Sequence, residues 1–309
     1  MFSLAGGVFL GWALGANDAS NVIGPAVYCR MLRFVTAAVM ASAFVLLGAM
    51  LQGPSGIRTL SALTGVTLHQ AVLISVSAAL TVTLMTILRL PVSTSQAVVG
   101  AILGIGAANR FVDMANLGKV VTCWVGTPVG GALVAMALYR MLAAFHNRVQ
   151  PNLLESDALV RIGLAAAGAY GAFALGANNV ANVTAVFVQA GYLSMTAATL
   201  IGGLAIGLGI LTFSKGVMTT VGTRLVRLDP FSALIVLLAE GLTVHFYTFV
   251  GVPVSTSQAV VGAVLGIGVL KGMRTVSVRT LLSILSGWLF TPLVAAALVL
   301  GIGKLQGGF

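Results

Sequence analysis

The stretch PVSTSQAVVGAILGIG, Pro91 to Gly106, occurs a second time as PVSTSQAVVGAVLGIG, Pro253 to Gly268, with fifteen of sixteen positions identical and Ile102 against Val264 the exception. A packed apolar core tolerates exchange between side chains of similar volume. Packing alone therefore does not hold two distant copies alike at Ser, Thr and Gln, and both copies are expected to touch something specific. Proline suits the first turn of a helix, where its missing N–H would be unpaired anyway, and Ser and Thr suit the cap. Each copy reads as a helix start inside an otherwise apolar chain. Free backbone N–H groups and the positive end of the helix dipole favour an anion there. Ser93, Thr94, Ser95 and Gln96 add side-chain donors, and Ser255, Thr256, Ser257 and Gln258 do the same from the second copy. The plainer reading, that Pro-Ser-Thr merely caps two buried helices, suits one isolated copy; duplication argues against it.

Of the 309 residues 59% are hydrophobic and only 7% are charged, and mean hydropathy is +1.08, a balance that no soluble domain of this length approaches. The expectation is an all-α polytopic membrane protein. Long continuous apolar runs, rather than ten-residue alternation, exclude a barrel. The formal charge of +10 is spread over short connections between apolar runs, so it reads as topology rather than as a nucleic-acid surface. Cys29 and Cys123 are too few for a disulfide framework and carry no metal spacing. The first apolar run has no basic flank and contains GAND, which reads as a working segment rather than a cleaved signal peptide.

A second motif is also written twice. WALGANDASNV, Trp12 to Val22, returns as FALGANNVANV, Phe173 to Val183, with seven of eleven positions identical. The offset is 161 residues here and 162 for PVSTSQ, so the halves are collinear. The first repeat is placed at residues 1–145, a short cytoplasmic linker at 146–161 and the second repeat at 162–309, together one transmembrane domain. Each half holds about five hydrophobic segments, and an odd number makes the second half enter the membrane in the opposite sense. Starting outside puts twelve cations inside (Arg30, Arg33, Arg89, Arg140, Arg148, Arg161, Lys215, Arg224, Arg227, Lys271, Arg274 and Arg279) against four outside (Arg58, Arg110, Lys119 and Lys304). Inverted repeats with broken helices or re-entrant hairpins, here at GAND/GANN and PVSTSQ, are transporter architecture, and their sites lie near the midplane. GANDASN is expected to interrupt the first segment.

Within the apolar segments the polar residues cluster at Asn17, Asp18 and Asn21, at Ser93 to Gln96, at Asn178, Asn179 and Asn182, and at Ser255 to Gln258. A carboxylate in a membrane segment is costly unless paired, so Asp18 is a functional candidate. Asn offers a carbonyl to a hard cation and an amide to an anion; for a lone Asn the plainer role is a hydrogen bond between helices. Glu240 is not duplicated, its counterpart being Ala78, and is either a coupling-ion group or a carboxylate paired with a neighbour such as His245. Arg89 and Lys215 read as snorkelling cations at segment ends.

GANDASN with GANNVAN, together with the two PVSTSQ copies, resembles the PiT family of inorganic phosphate transporters, and SKGVMTTVGTRL, Ser214 to Leu225, is similar to that family's second-half connection. The resemblance covers both halves. It implies cation-coupled phosphate uptake by an inverted-repeat protein of the cell membrane that forms a homodimer, with sodium expected ahead of the proton. The family commonly has Asp in both GAND motifs, where this chain has Asn179. Its glutamates near Val45 and Leu237 are absent here, with Glu240 one turn from the latter. The large central loop of animal members is reduced to about His146 to Arg161.

The reading is thus a secondary transporter for a tetrahedral oxyanion, with no cofactor and no nucleic-acid partner. Ser93, Thr94, Ser95, Gln96, Ser255, Thr256, Ser257, Gln258, Asn21 and Asn182 are assigned to inorganic phosphate. Asn17, Asp18, Asn178 and Asn179 are assigned to the coupling cation. A donor-rich neutral site can release its anion, whereas a buried Arg would hold it too firmly. A sulfate permease of the same family is the alternative, and an anion channel a further one. A membrane enzyme is disfavoured because no His/Asp/Ser set or metal spacing occurs among the buried polar residues.

Overall fold

The computed structural model of the chain describes residues 2–87, 92–149, 152–222, 228–272 and 278–306. Pro91, Arg89, Arg224, Arg227 and Arg274 lie outside the described residues. In hydrocarbon, a spanning segment must satisfy its backbone internally, and these apolar runs do so as helices. In order they are α1 (Ala5–Val22), α2 (Gly24–Tyr28), α3 (Phe34–Gln52), α4 (Pro54–Ser61), α5 (Leu68–Ile87), α6 (Thr94–Ala108), α7 (Met114–Val149), α8 (Leu153–Gln189), α9 (Met195–Gly222), α10 (Pro230–Val250), α11 (Thr256–Lys271) and α12 (Val278–Leu305). Among the described residues, seven are long and apolar enough to cross a membrane: α3, α5, α7, α8, α9, α10 and α12. Their outward faces carry large exposed apolar side chains such as Leu47, Leu208, Phe249 and Leu293, as lipid contact requires.

Two expectations need correction. The helix is not interrupted at GANDASN. α1 runs unbroken to Val22 and turns at Ile23, and α8 runs unbroken through GANNVAN to Gln189. The break falls later because Pro25, in the first turn of α2, has no N–H to give the preceding turn and disfavours helix at the residue before it. The stretch 146–161 is mostly helix rather than linker. α7 extends to Val149, and α8 starts at Leu153 on a capping box in which Asn152 and Glu155 bond each other's backbone N–H.

The short helices α6 and α11 have 15 and 16 residues, about 22–24 Å at 1.5 Å per residue, less than a hydrocarbon core of about 30 Å. Ser93 and Ser255 cap them, each accepting from the backbone N–H of the Gln three residues on. Pro253 precedes the cap by two residues instead of sitting in the first turn. Each short helix pairs with the helix before it, and the two ends are tied at matching positions. Gln70 donates to Asn109 Oδ1 (3.0 Å) in α5–α6, and Lys271 donates to Ser232 Oγ (2.8 Å) and Asp229 Oδ2 (2.6 Å) in α10–α11. Partial burial works to raise the Asp229 carboxyl, but the Lys271 ammonium and the Ser232 N–H and O–H together hold it below its ordinary value.

The tightest packing runs between the halves and is reciprocal. Gly15 of α1 lies on the Ile206 carbonyl of α9, and Gly176 of α8 lies on the Val45 carbonyl of α3. Gly48 likewise faces Phe173 O while Gly209 faces Trp12 O, and Gly100 faces Pro292 O while Gly262 faces Pro128 O. A methyl at any of the six would collide with the partner helix's carbonyl oxygen. The last pair exposes a third repeat, Trp124-x-x-Thr127-Pro128 and Trp288-x-x-Thr291-Pro292, on the long helices that cradle α11 and α6. Residues and partners thus exchange between the halves in the way a two-fold relation demands.

Gly15→Ala and Gly176→Ala should each destabilise the protein by about 1–3 kcal/mol or more, because rigid backbone must move. Gly118→Ala in α7, where a Cβ meets nothing within 4 Å, should be neutral or stabilising by up to about 1 kcal/mol. Thermal unfolding in detergent separates the two groups; equal shifts would contradict the packing.

Candidate functional site

The two PVSTSQ helix starts meet inside the protein. Ser95 Oγ donates to Val254 O (3.1 Å), and Ser257 Oγ donates to Val92 O (3.4 Å), each serine reaching the backbone just ahead of the other helix. These bonds are counterparts at an offset of 162 residues, so the hairpin tips clasp each other symmetrically. Ser93, Thr94, Ser95, Gln96, Ser255, Thr256 and Gln258 are all buried, and Ser257 is partly so.

The GAN motifs reach this point crosswise. Asn21 of α1 donates to Thr256 Oγ1 of α11 (3.3 Å), whereas Asn182 of α8 donates to Ser95 Oγ of α6 (2.9 Å). Asn179 Oδ1 accepts from Asn182 Nδ2 (2.8 Å) and from Ser95 Oγ (3.3 Å). Each half therefore lends its GAN helix to the other half's helix start. Several buried polar atoms of the same cluster have no partner in the protein: Thr94 Oγ1, Gln96 Oε1, Asn179 Nδ2, Asn182 Oδ1 and Gln258 Oε1. Buried polar groups left without partners are uncommon and costly. Here five converge where two helix N-termini meet, and the set mixes donors with acceptors.

The cation candidates divide. Asn17 donates to Asp18 Oδ1 (2.8 Å), with Asp18 buried and Asn17 at the edge. Asn178 has both ends of its amide engaged. Its Nδ2 donates to Val252 O (3.0 Å) and Thr248 Oγ1 (3.2 Å), and its Oδ1 accepts from Val254 N (2.8 Å), which locks α8 to the chain entering α11. Thr248 was not among the sequence candidates, yet a signal existed: Thr86 and Thr248 each stand five residues ahead of a motif proline. Trp124 is a second such residue, its Nε1 donating to Pro253 O (3.3 Å). Glu240 does not pair with His245. That ring bonds Tyr170 Oη at Nδ1 (2.7 Å) and Gln52 Oε1 at Nε2 (2.6 Å) instead.

Comparison with known proteins gives the family and the fold. A family model described as "Phosphate transporter family" matches residues 14–299. A protein named a phosphate permease in Methanocaldococcus jannaschii is 29% identical over 289 residues, covering 93% of this chain and 91% of its own. The sulfate permease of Bacillus subtilis is 27% identical over 307 residues, covering 96% of this chain and 84% of its own. A solved structure described as the sodium-dependent phosphate transporter superposes with a TM-score of 0.84 at 23% identity, covering 99% of this chain and 98% of the other, a likeness of fold. The family match takes in both halves and all fourteen candidate site residues, so the chain belongs to the phosphate transporter family and is a multi-pass membrane transporter, not an enzyme.

Proposed function

We propose that the protein imports inorganic phosphate in symport with a cation, sodium ahead of the proton, through the point where α6 and α11 begin. The observation that carries this is the convergence of two buried helix N-termini with unpartnered Thr94, Gln96, Asn179, Asn182 and Gln258 atoms. Helix N-termini attract anions. Of these atoms Thr94 Oγ1 and Asn179 Nδ2 can donate to the anion's oxygens without a full positive charge, and Gln96 Oε1, Asn182 Oδ1 and Gln258 Oε1 can accept from a protonated one. Ser93, Ser95, Ser255, Thr256, Ser257 and Asn21 complete the anion's surroundings. Asp18 with Asn17 offers oxygens to the cation. Asn179, whose Oδ1 is taken by Asn182 and Ser95, has only its Nδ2 left and so faces the anion instead, while Asn178 positions the second hairpin. Membership of the phosphate transporter family supports the substrate, and the sodium-dependent structural neighbour supports the ion.

The two halves are proposed to lie in opposite senses, residues 1–145 against 162–309, with α5–α6 re-entering from outside and α10–α11 from inside. The reciprocal glycine contacts support this, and so does the charge distribution: with α5–α6 re-entrant, Arg89 between them no longer counts as inside, which leaves eleven cations inside against four outside. Treating each tied pair as re-entrant leaves three crossings per half, which is still odd. In a background with Cys29 and Cys123 replaced, a cysteine at Asn152 should react only with reagent on the cytoplasmic side and one at Arg110 only from outside. Labelling of both from one side would refute the inversion.

Sulfate is the second reading, favoured by the likeness to the Bacillus subtilis sulfate permease. Phosphate at neutral pH carries a proton to donate and sulfate does not. Gln96 Oε1 and Gln258 Oε1 are buried acceptors that a phosphate O–H satisfies and sulfate leaves orphaned, a difference of about 1–3 kcal/mol per group. Phosphate should outcompete sulfate by about tenfold or more in uptake into liposomes. Equal competition by sulfate would transfer the assignment to the second reading.

The counterpart of Asp18 in the second motif is the neutral Asn179. If Asp18 holds the coupling cation, Asp18→Asn removes the charge at constant size, so the half-saturating sodium concentration should rise by about tenfold or more, the cost of roughly 1.4 kcal/mol. Phosphate affinity should fall with it through linkage. Uptake measured against sodium, and separately against pH, checks this. An unchanged sodium dependence in the variant would remove Asp18 from the cation site.

A further inference from the structure

Glu240 lies midway along α10, has no solvent exposure, and neither of its carboxyl oxygens has a hydrogen-bond partner. It is wedged between two GAN helices. A methyl placed on Gly171 of α8 would lie 3.0 Å from Glu240 Oε2 and 3.2 Å from Val22 Cγ1 of α1. His245, on its own helix, is turned to Tyr170 and Gln52, and with Nε2 donating to Gln52 its Nδ1 can accept the Tyr170 hydroxyl, so the ring needs no charge.

No cation reaches the carboxyl along α10. Lys271 of α11 is bonded to Asp229 at one end of the helix and Lys119 of α7 to Val250 O at the other, each on the order of 15 Å away along the axis. The remaining titratable groups against α10 are acids or neutral groups: Asp18 of α1, Tyr170 of α8, Cys29 after α2, and Cys123 and Tyr139 of α7. Arg58, on α4, is exposed. Of these, Asp18 is the one whose charge reaches Glu240, and a second carboxylate repels the first.

A lone ionised carboxylate in such surroundings costs several kcal/mol. A hard metal cation collects about six oxygen ligands, whereas the Gly171 face that meets Glu240 Oε2 and the Val22 methyl beside it supply none, and neither carboxyl oxygen is joined by a polar partner. A proton needs no further ligand. We propose that Glu240 is a proton-binding site, separate from the Asp18 cluster, whose occupancy holds α10, the outer arm of the second hairpin, against α1 and α8. When that arm parts from α8 and water reaches the carboxyl, the proton leaves on that side, which gives uptake a pH dependence of its own. Only this last consequence rests on the transport reading.

Two measurements on the full-length protein test it. In infrared spectra at neutral pH, the wild type should show the C=O stretch of a protonated carboxylic acid, shifted in heavy water and lost in Glu240→Gln. Identical spectra for the two proteins would mean that Glu240 holds no proton and would overturn the proposal whatever the substrate. In liposomes at fixed sodium gradient, wild-type uptake of radiolabelled phosphate should fall above a midpoint by about tenfold per pH unit, the slope of one proton site. Glu240→Gln, a mimic of the protonated acid, should lose that fall. Phosphate's own ionisation is common to both proteins and cancels in the comparison. Coincident pH profiles in two active proteins would overturn the coupling, and absence of uptake from both would instead strike the transport reading, leaving the infrared band to decide the site. Should Glu240→Gln fail to fold, Glu240→Asp must keep the band and the pH dependence with a displaced midpoint, and its loss of both would count against the site.

Discussion

A helix that begins inside a membrane leaves its first backbone N–H groups with no water to turn to. This chain begins two such helices at one place, and much of the remaining structure can be read as the support for that arrangement. Ser93 and Ser255 each answer one N–H as caps, and Ser95 and Ser257 fasten each tip to the other's backbone. The tips must also be held from outside. Pro128 and Pro292 present carbonyls on which Gly262 and Gly100 rest without a side chain between them, so each short helix lies flush against a long helix of the other half. What the caps leave unanswered is concentrated at the meeting point, where an anion has the most to gain.

The sequence made this centre legible because the constraint falls on side-chain identity. A serine that bonds a specific carbonyl and an asparagine that bonds a specific hydroxyl cannot drift as a leucine in a core can. PVSTSQ and GAN-x-x-x-N are therefore visible in duplicate. The Trp-x-x-Thr-Pro pair is as regular, but it sits in long apolar helices where its chemistry is packing against glycine, and composition does not mark it. The expected interruption at GANDASN rested on the polarity of Asn and Asp, which lower helix propensity by competing for their own backbone. Here Asn21, Asn178 and Asn182 spend their amides on neighbouring helices, so the competition never arises and the helix continues. The polar stretch at 146–161 misled in the same direction, because a capping box makes polar residues a helix start. Of the two roles open to Glu240, pairing with His245 is the one the structure removes, because Tyr170 and Gln52, distant in sequence, take the ring.

The repeat shares a backbone plan while differing in chemistry. At the tied ends of the hairpins, Gln70 and Asn109 are uncharged where Ser232, Asp229 and Lys271 include an ion pair. At the centre, Asn178 has both amide ends fixed to the second hairpin, while its counterpart Asn17 bonds only its neighbour Asp18. The second half is thus locked by an amide that the first half leaves at the edge, beside a carboxylate. A shared scaffold carrying unequal contacts holds its two short helices by different means.

Under the proposed function, the unequal charge also supplies a reason for coupling. An anion drawn to the α6 and α11 N-termini meets favourable dipoles, but an ionised Asp18 on α1 opposes it. For unit charges about 6 Å apart at an effective dielectric of about 20, that opposition is on the order of 3 kcal/mol, or about a hundredfold in affinity. A monovalent cation at Asp18 cancels it. With Asp in both motifs the opposition would be roughly doubled and would call for a second cation. With Asn179 in the second motif, one cation restores neutrality beside the anion. A buried arginine would reach the same balance with no cation, and the anion would then bind whether or not an ion gradient existed. On that reading coupling follows from leaving the site one positive charge short of neutral, with the cation as the part that the protein does not provide.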